Sequence, residues 1–77
     1  MTKREIAQQI KDIAYDIAGA ELDENEPLKE SGLDSLSLVA VVAAIEEKFG
    51  FTFSDDDLQP ENLRMLADLV NISAKYL

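Results

Sequence analysis

The chain has no cysteine and no histidine, and only 6% of its 77 residues are aromatic. Without cysteine there is no disulfide, no thiolate zinc site and no thiol nucleophile. Without histidine a serine triad loses its usual base, and the common proton shuttle near neutral pH is missing. Independent catalysis is not expected. Positive charge is also scarce: 7 Lys and Arg against 16 Asp and Glu leave a net charge of −9. Such a field repels phosphate backbones and anionic membranes and attracts basic protein surfaces. Nucleic acid and membrane are therefore set aside as partners, and a protein with a positive patch is expected. No apolar run approaches the roughly 18 residues that span a bilayer. The start of the chain, Met1-Thr2-Lys3-Arg4-Glu5-Ile6, is not an apolar export signal. The expectation is a soluble, cytoplasmic monomer.

What is present is 47% hydrophobic residues, many at helical spacing, which supports one modest core in a single domain over residues 1–77. Ile6, Ile10, Ile13 and Ile17 recur at steps of four, three and four. That places them on one face of a helix over residues 2–18, with Thr2 as N-cap and Gly19 as its stop. Residues 21–34 lose the pattern and form a long acidic loop, pinned to the core by Leu22, Leu28 and Leu33. A second helix is expected from Ser35 to Gly50. Leu38, Val41, Val42, Ile45 and Phe49 share an arc of about 100° and are its core stripe. On the opposite side stand Leu36, Val39, Ala40, Ala43 and Glu47, mostly apolar where a surface helix ought to be polar, which marks a face offered to a partner. Ser54-Asp55-Asp56-Asp57 fits a capping box before a short helical turn near Leu58. Pro60 interrupts, and a last helix spans residues 62–76, marked by Leu63, Leu66, Leu69 and Val70. The fold class is thus all-α: a small antiparallel four-helix bundle, three main helices and one short one, with a long loop between the first two.

Several polar features have simple structural readings. Ser35 or Asp34 is a natural N-cap, and Ser31-x-x-Asp34 can be read as a capping box. A serine at a helix start is also suited to a phosphate ester, because the helix dipole favours negative charge there, although Asp34 opposes it. The acidic stretch from Asp23 departs from a calcium loop, with no glycine at its sixth position and Asp34 at its twelfth. Asp55-Asp56-Asp57 reads as a solvated capping run, and Tyr15 and Tyr76 as packing residues with wet hydroxyls. A hydrolase built on Ser35 lacks a base.

The run Gly32-Leu33-Asp34-Ser35-Leu36, followed by Val39, Val42, Ile45, Glu46, Glu47 and Phe49, resembles the acyl carrier protein family, whose signature is Asp-Ser-Leu at the start of the second helix. The Ile-rich first helix, Pro27-Leu28, the stretch from Phe51 to Leu58 and the final amphipathic helix extend the likeness over nearly the whole chain. The resemblance implies that Ser35 is the attachment point of 4′-phosphopantetheine, placed there by a phosphopantetheinyl transferase that recognises Asp34. It implies a carrier, not an enzyme, that holds acyl groups as thioesters and presents them to acyl-loading and acyl-processing enzymes of fatty-acid, polyketide or related biosynthesis. By the same resemblance Leu36, Val39, Ala40, Ala43, Glu46 and Glu47 form the docking face for partners with basic patches; the acidic clusters themselves give no expectation of a metal site. The position of Ala40 is commonly acidic in fatty-acid carriers, and the stretch from Phe53 to Leu63 looks more like free-standing carriers of specialised, including aminoacyl, pathways. Cargo could shelter among Val41, Val42, Ile45 and Leu58. The alternative is an acidic helical interaction module with the carrier fold that is never modified.

Overall fold

A computed structural model describes all of residues 1–77 and contains three α-helices: α1 (Lys3–Ala18), α2 (Ser35–Phe49) and α3 (Leu66–Tyr76). The start of α1 is set by Thr2, whose hydroxyl accepts the Glu5 amide at 3.2 Å while the Glu5 carboxylate accepts the Thr2 amide at 3.0 Å. This is the reciprocal arrangement that satisfies two orphan donors of a first turn. Gly19 ends α1 and Gly50 ends α2 in the left-handed conformation, where a side chain would be strained.

Both α2 and α3 pack on α1, whereas they hardly meet each other. The buried face of α1 is Ile6, Ile10 and Ala14, with Ala18 half-buried beyond them. Ile13 is half-buried and Ile17 is exposed, so the expected four-isoleucine stripe is corrected at its end. Residues 6, 10, 14 and 18 follow a ridge of fourfold steps, which winds about 40° per step around the helix. By the last turn the contact has rotated away from Ile17.

In α2, Val41, Val42 and Ile45 are buried, and Leu38 and Phe49 pack on the core as half-buried flanks. Leu22, Leu28 and Leu33 are all buried and pin the long first loop as expected. That loop also holds a 3₁₀ turn, Leu28–Ser31, and is tied to the far end of the chain where the Leu28 amide donates to the Arg64 carbonyl at 2.8 Å.

The fourth helix is reduced to hydrogen-bonded turns over residues 55–58 and a three-residue 3₁₀ turn, Pro60–Asn62. The Ser54 and Asp57 capping bonds are both present, at 3.1 and 3.2 Å, yet no α-helix grows from them. The last helix begins at Leu66 and not near Asn62. Met65 is extended, and the Asp68 carboxylate takes the amides of Arg64 and Met65 at 2.9 and 3.0 Å. Leu63 is buried from outside the helix.

The Asp-Ser-Leu corner and the exposed face of α2

Gly32 adopts φ +99°, and a Cβ there would stand 3.5 Å from that of Ala20. Its turn lets Leu33 drop into the core, 2% exposed, so the chain emerges directly onto α2. Asp34 is the N-cap: its carboxylate accepts the Ser37 amide at 2.8 Å, and that bond holds its pKa below the usual carboxylate value. Ser31 takes no part in the cap, since its hydroxyl donates to the Pro27 carbonyl at 3.4 Å. Ser35 is therefore the first helical residue. It is exposed, and its hydroxyl makes no hydrogen bond within the chain. An unengaged hydroxyl at the positive end of a 15-residue helix meets what a phosphodiester needs: access, and a dipole that favours the added charge by about 0.3–1 kcal/mol.

Leu36 follows at 84% exposure and Val39 at 67%. Ala40 and Ala43 are exposed between and beyond them, and Glu47 is exposed at the far end. The six residues named for docking are not equally available. Glu46 is half-buried, and one of its carboxylate oxygens accepts the Phe53 amide at 2.8 Å, fastening residues 51–53 to the end of α2.

The interior offers no ready cargo chamber around the residues named for it. Val41, Val42 and Ile45 are packed, and Leu58 is 37% exposed at the surface. Two open clefts, of about 350 and 230 Å³, lie elsewhere, one beside Asp57, Glu61 and Asn71, the other beside Lys3, Arg4 and Val70.

The Asp57 environment has no counterpart in the local sequence pattern. Asp57 is 8% exposed, ion-paired with Lys75 at 2.8 Å and hydrogen-bonded by the Tyr76 hydroxyl. These donors, Lys75 first, hold its carboxyl far below the usual range, and the carboxylate in turn pushes the Lys75 ammonium up. Tyr76 stacks on Phe51 with ring centroids 4.9 Å apart, and Phe53 meets Phe51 edge-on. Tyr76 thus has a bonded hydroxyl, and Asp57 is no solvated member of a capping run. Only the pairing of a buried-looking Phe-x-Phe with a distant Lys-Tyr hinted at this cluster. No group of three or more carboxylates converges as a metal site would require.

With this geometry in view, residues 4–70 match the family model described as a phosphopantetheine attachment site. An acyl carrier protein homolog of Mycoplasma genitalium is 39% identical over 74 residues, covering 91% of this chain and 86% of the relative. Among solved structures, the holo acyl carrier protein NE2163 of Nitrosomonas europaea superposes with a TM-score of 0.78 at 23% identity, over 91% of this chain and 93% of that one. A chain from the Bradyrhizobium japonicum glycine:[carrier protein] ligase complexed with glycylated carrier protein gives 0.70 at 25% identity, over 91% and 96% respectively.

Proposed function

This chain belongs to the phosphopantetheine-bearing acyl carrier protein family, and from that premise we propose that Ser35 carries the 4′-phosphopantetheine group and that the exposed face of α2 docks the enzymes that load and process its cargo. The protein is a carrier and not an enzyme. The observation that carries the assignment is the exposed, unengaged Ser35 hydroxyl at the start of α2, inside the matched region. When attached, the group supplies a terminal thiol that holds the cargo as a thioester, which accounts for a chain without cysteine. Asp34 shapes the corner by capping α2, and its carboxylate is the feature a phosphopantetheinyl transferase reads beside Ser35.

We place the carrier in a specialised pathway, with a small acyl or aminoacyl cargo. Ala40 is uncharged where fatty-acid carriers commonly have an acid, and a carrier of similar fold is described as glycylated. The filled interior around Val41 and Ile45 favours a cargo held outside the bundle, since a long aliphatic chain would gain from burial and a small polar one would not. The chain is expected to act as a cytoplasmic monomer with transient partners that bear basic patches.

Co-expression with a broad-specificity phosphopantetheinyl transferase, followed by intact mass measurement, tests the assignment. An adduct is expected on the wild type and none on Ser35→Ala. An unmodified wild type, or an undiminished adduct on Ser35→Ala, removes Ser35 as the attachment point.

A further inference from the structure

The corner that presents Ser35 ends a loop with few ties. Between residues 21 and 33 a single backbone hydrogen bond leaves the loop, from the Leu28 amide to the Arg64 carbonyl at 2.8 Å, and Pro27 faces Met65 there in an isolated antiparallel bridge. The connection runs on in both directions. Toward Ser35, the Leu28 carbonyl accepts the amides of Gly32 and, at 3.3 Å, of Leu33; Leu33 is buried, Asp34 then caps α2, and Ser35 begins it. Toward α3, one oxygen of the Asp68 carboxylate accepts the amides of Arg64 at 2.9 Å and Met65 at 3.0 Å. Asp68 is half-buried and in no ion pair, so these two amides are the partners of its side chain.

The Arg64 carbonyl and the Met65 amide belong to one peptide unit. It is planar and trans, so its C=O and N–H point in opposite directions. Asp68 holds the N–H end and Leu28 meets the C=O end, so fixing the first sets the direction of the second. Resting on the reading of Ser35 above, we infer that Asp68 is a positioning residue for the modification of Ser35. Through this peptide it holds Leu28, and through Leu28 it holds the Gly32-Leu33 turn from which Asp34 and Ser35 emerge. Asp68 makes no hydrogen bond to Asp34 or Ser35 itself. It sets the share of molecules whose corner is already in place when the transferase arrives, and a substrate competent for only a fraction of the time binds more weakly by that fraction. The step after binding is untouched, so the signature lies in KM for the carrier and not in kcat.

The test follows adduct formation by intact mass with coenzyme A and a broad-specificity phosphopantetheinyl transferase, over a range of carrier concentrations. Wild type, Asp68→Ala, Asp68→Asn and Ser54→Ala are compared, each checked as folded by circular dichroism. Asp68→Ala is expected to raise KM for the carrier about fivefold, the effect of losing one cap, with kcat within about twofold of wild type. Asp68→Asn keeps an oxygen that can accept both amides and is expected to restore KM to within about twofold. Ser54→Ala removes a comparable cap from a turn with no hydrogen bond to residues 27–35, and is expected to leave KM unchanged. Hydrogen exchange at the Leu28 and Leu33 amides is expected to quicken in Asp68→Ala. An unchanged KM in folded Asp68→Ala, a rise matched by Ser54→Ala, or no rescue by Asp68→Asn overturns the inference. If Asp68→Ala does not fold, exchange in the wild type decides: protection of the Leu28 and Met65 amides within about fivefold of each other supports a shared opening, and a wider gap overturns it. A wild type that takes no adduct is the separate result that sinks the Ser35 reading, and this inference with it.

Discussion

Ser73→Ala is expected to make the protein more stable, although it removes a polar group from a tightly packed helix face. Ser73 lies on α3 among Leu66, Leu69 and Val70, is 0% exposed, and its Oγ has no hydrogen-bond partner. A buried hydroxyl left unpaired costs about 1–3 kcal/mol, because it gives up its bonds to water on folding. Alanine also gains about 0.5 kcal/mol of helix propensity over serine. Against this, deleting one oxygen leaves a void of about 10–15 Å³, which at about 24 cal/mol per Å³ costs about 0.3 kcal/mol. The first two effects win, for a net gain of about 1–3 kcal/mol. In urea, with m near 1 kcal/mol/M for so small a domain, the midpoint followed by circular dichroism moves up by about 1–3 M, and the melting temperature rises by about 5–20 °C. A lower midpoint at unchanged m refutes the reasoning. The hydroxyl would then be bonded in solution, to the Leu69 carbonyl one turn back or to an enclosed water.

Asp57→Asn removes the partner of Lys75 and is expected to lower the urea midpoint at pH 7. The folded pKa of Asp57 lies below its unfolded value, so its contribution is complete above the unfolded value of about 3.9 and is lost as pH falls through the folded one. The gap between wild type and Asp57→Asn should therefore narrow below about pH 4, and a gap that is constant from neutral to acid shows that no charged pair is formed. Gly50→Ala meets no atom within 4 Å at its Cβ but must hold φ +76°, so its cost is conformational, about 1 kcal/mol or about 4–8 °C in melting temperature. An unchanged melting temperature means that the end of α2 is not left-handed in solution.

The helices that were legible in the sequence are those whose ends are written locally. Thr2 and Gly19 bound α1, and Asp34 and Gly50 bound α2, each by a bond within a few residues. The exposed face of α2 was legible for a related reason: its periodicity left Leu36 and Val39 opposite the core stripe, where the structure has them. The start of α3 was not, because Leu63 continues the helical spacing while the Asp68 carboxylate and the Arg64 bond to Leu28 hold residues 64 and 65 outside the helix. The Asp57 cluster joins residues 18 and 19 apart, and no local pattern reports a pairing at that distance. Ile17 failed for geometry: a periodicity fixes a face, but the angle at which helices cross decides how far along it contact lasts.

The acidity has a second use that the net charge conceals. Glu5, Asp34, Asp57 and Asp68 each accept backbone amides at the start of a helix or turn, and Glu46 holds the segment that follows α2. In Glu5, Asp34 and Asp57 such bonds lower the carboxyl pKa, so their contribution to the fold is present while they are ionised. The other exposed acids repel one another and supply the long-range field. Salt and acid therefore act differently on this protein. Salt screens the field, relieving self-repulsion and slowing encounter with partners, and leaves these short bonds in place. Acid removes the field and the caps together, so the corner that presents Ser35 loosens as the attraction that brings partners to it fades. The two changes therefore separate: salt leaves the Asp34 cap of α2 in place, whereas acid removes it once the pH falls through the lowered pKa of Asp34.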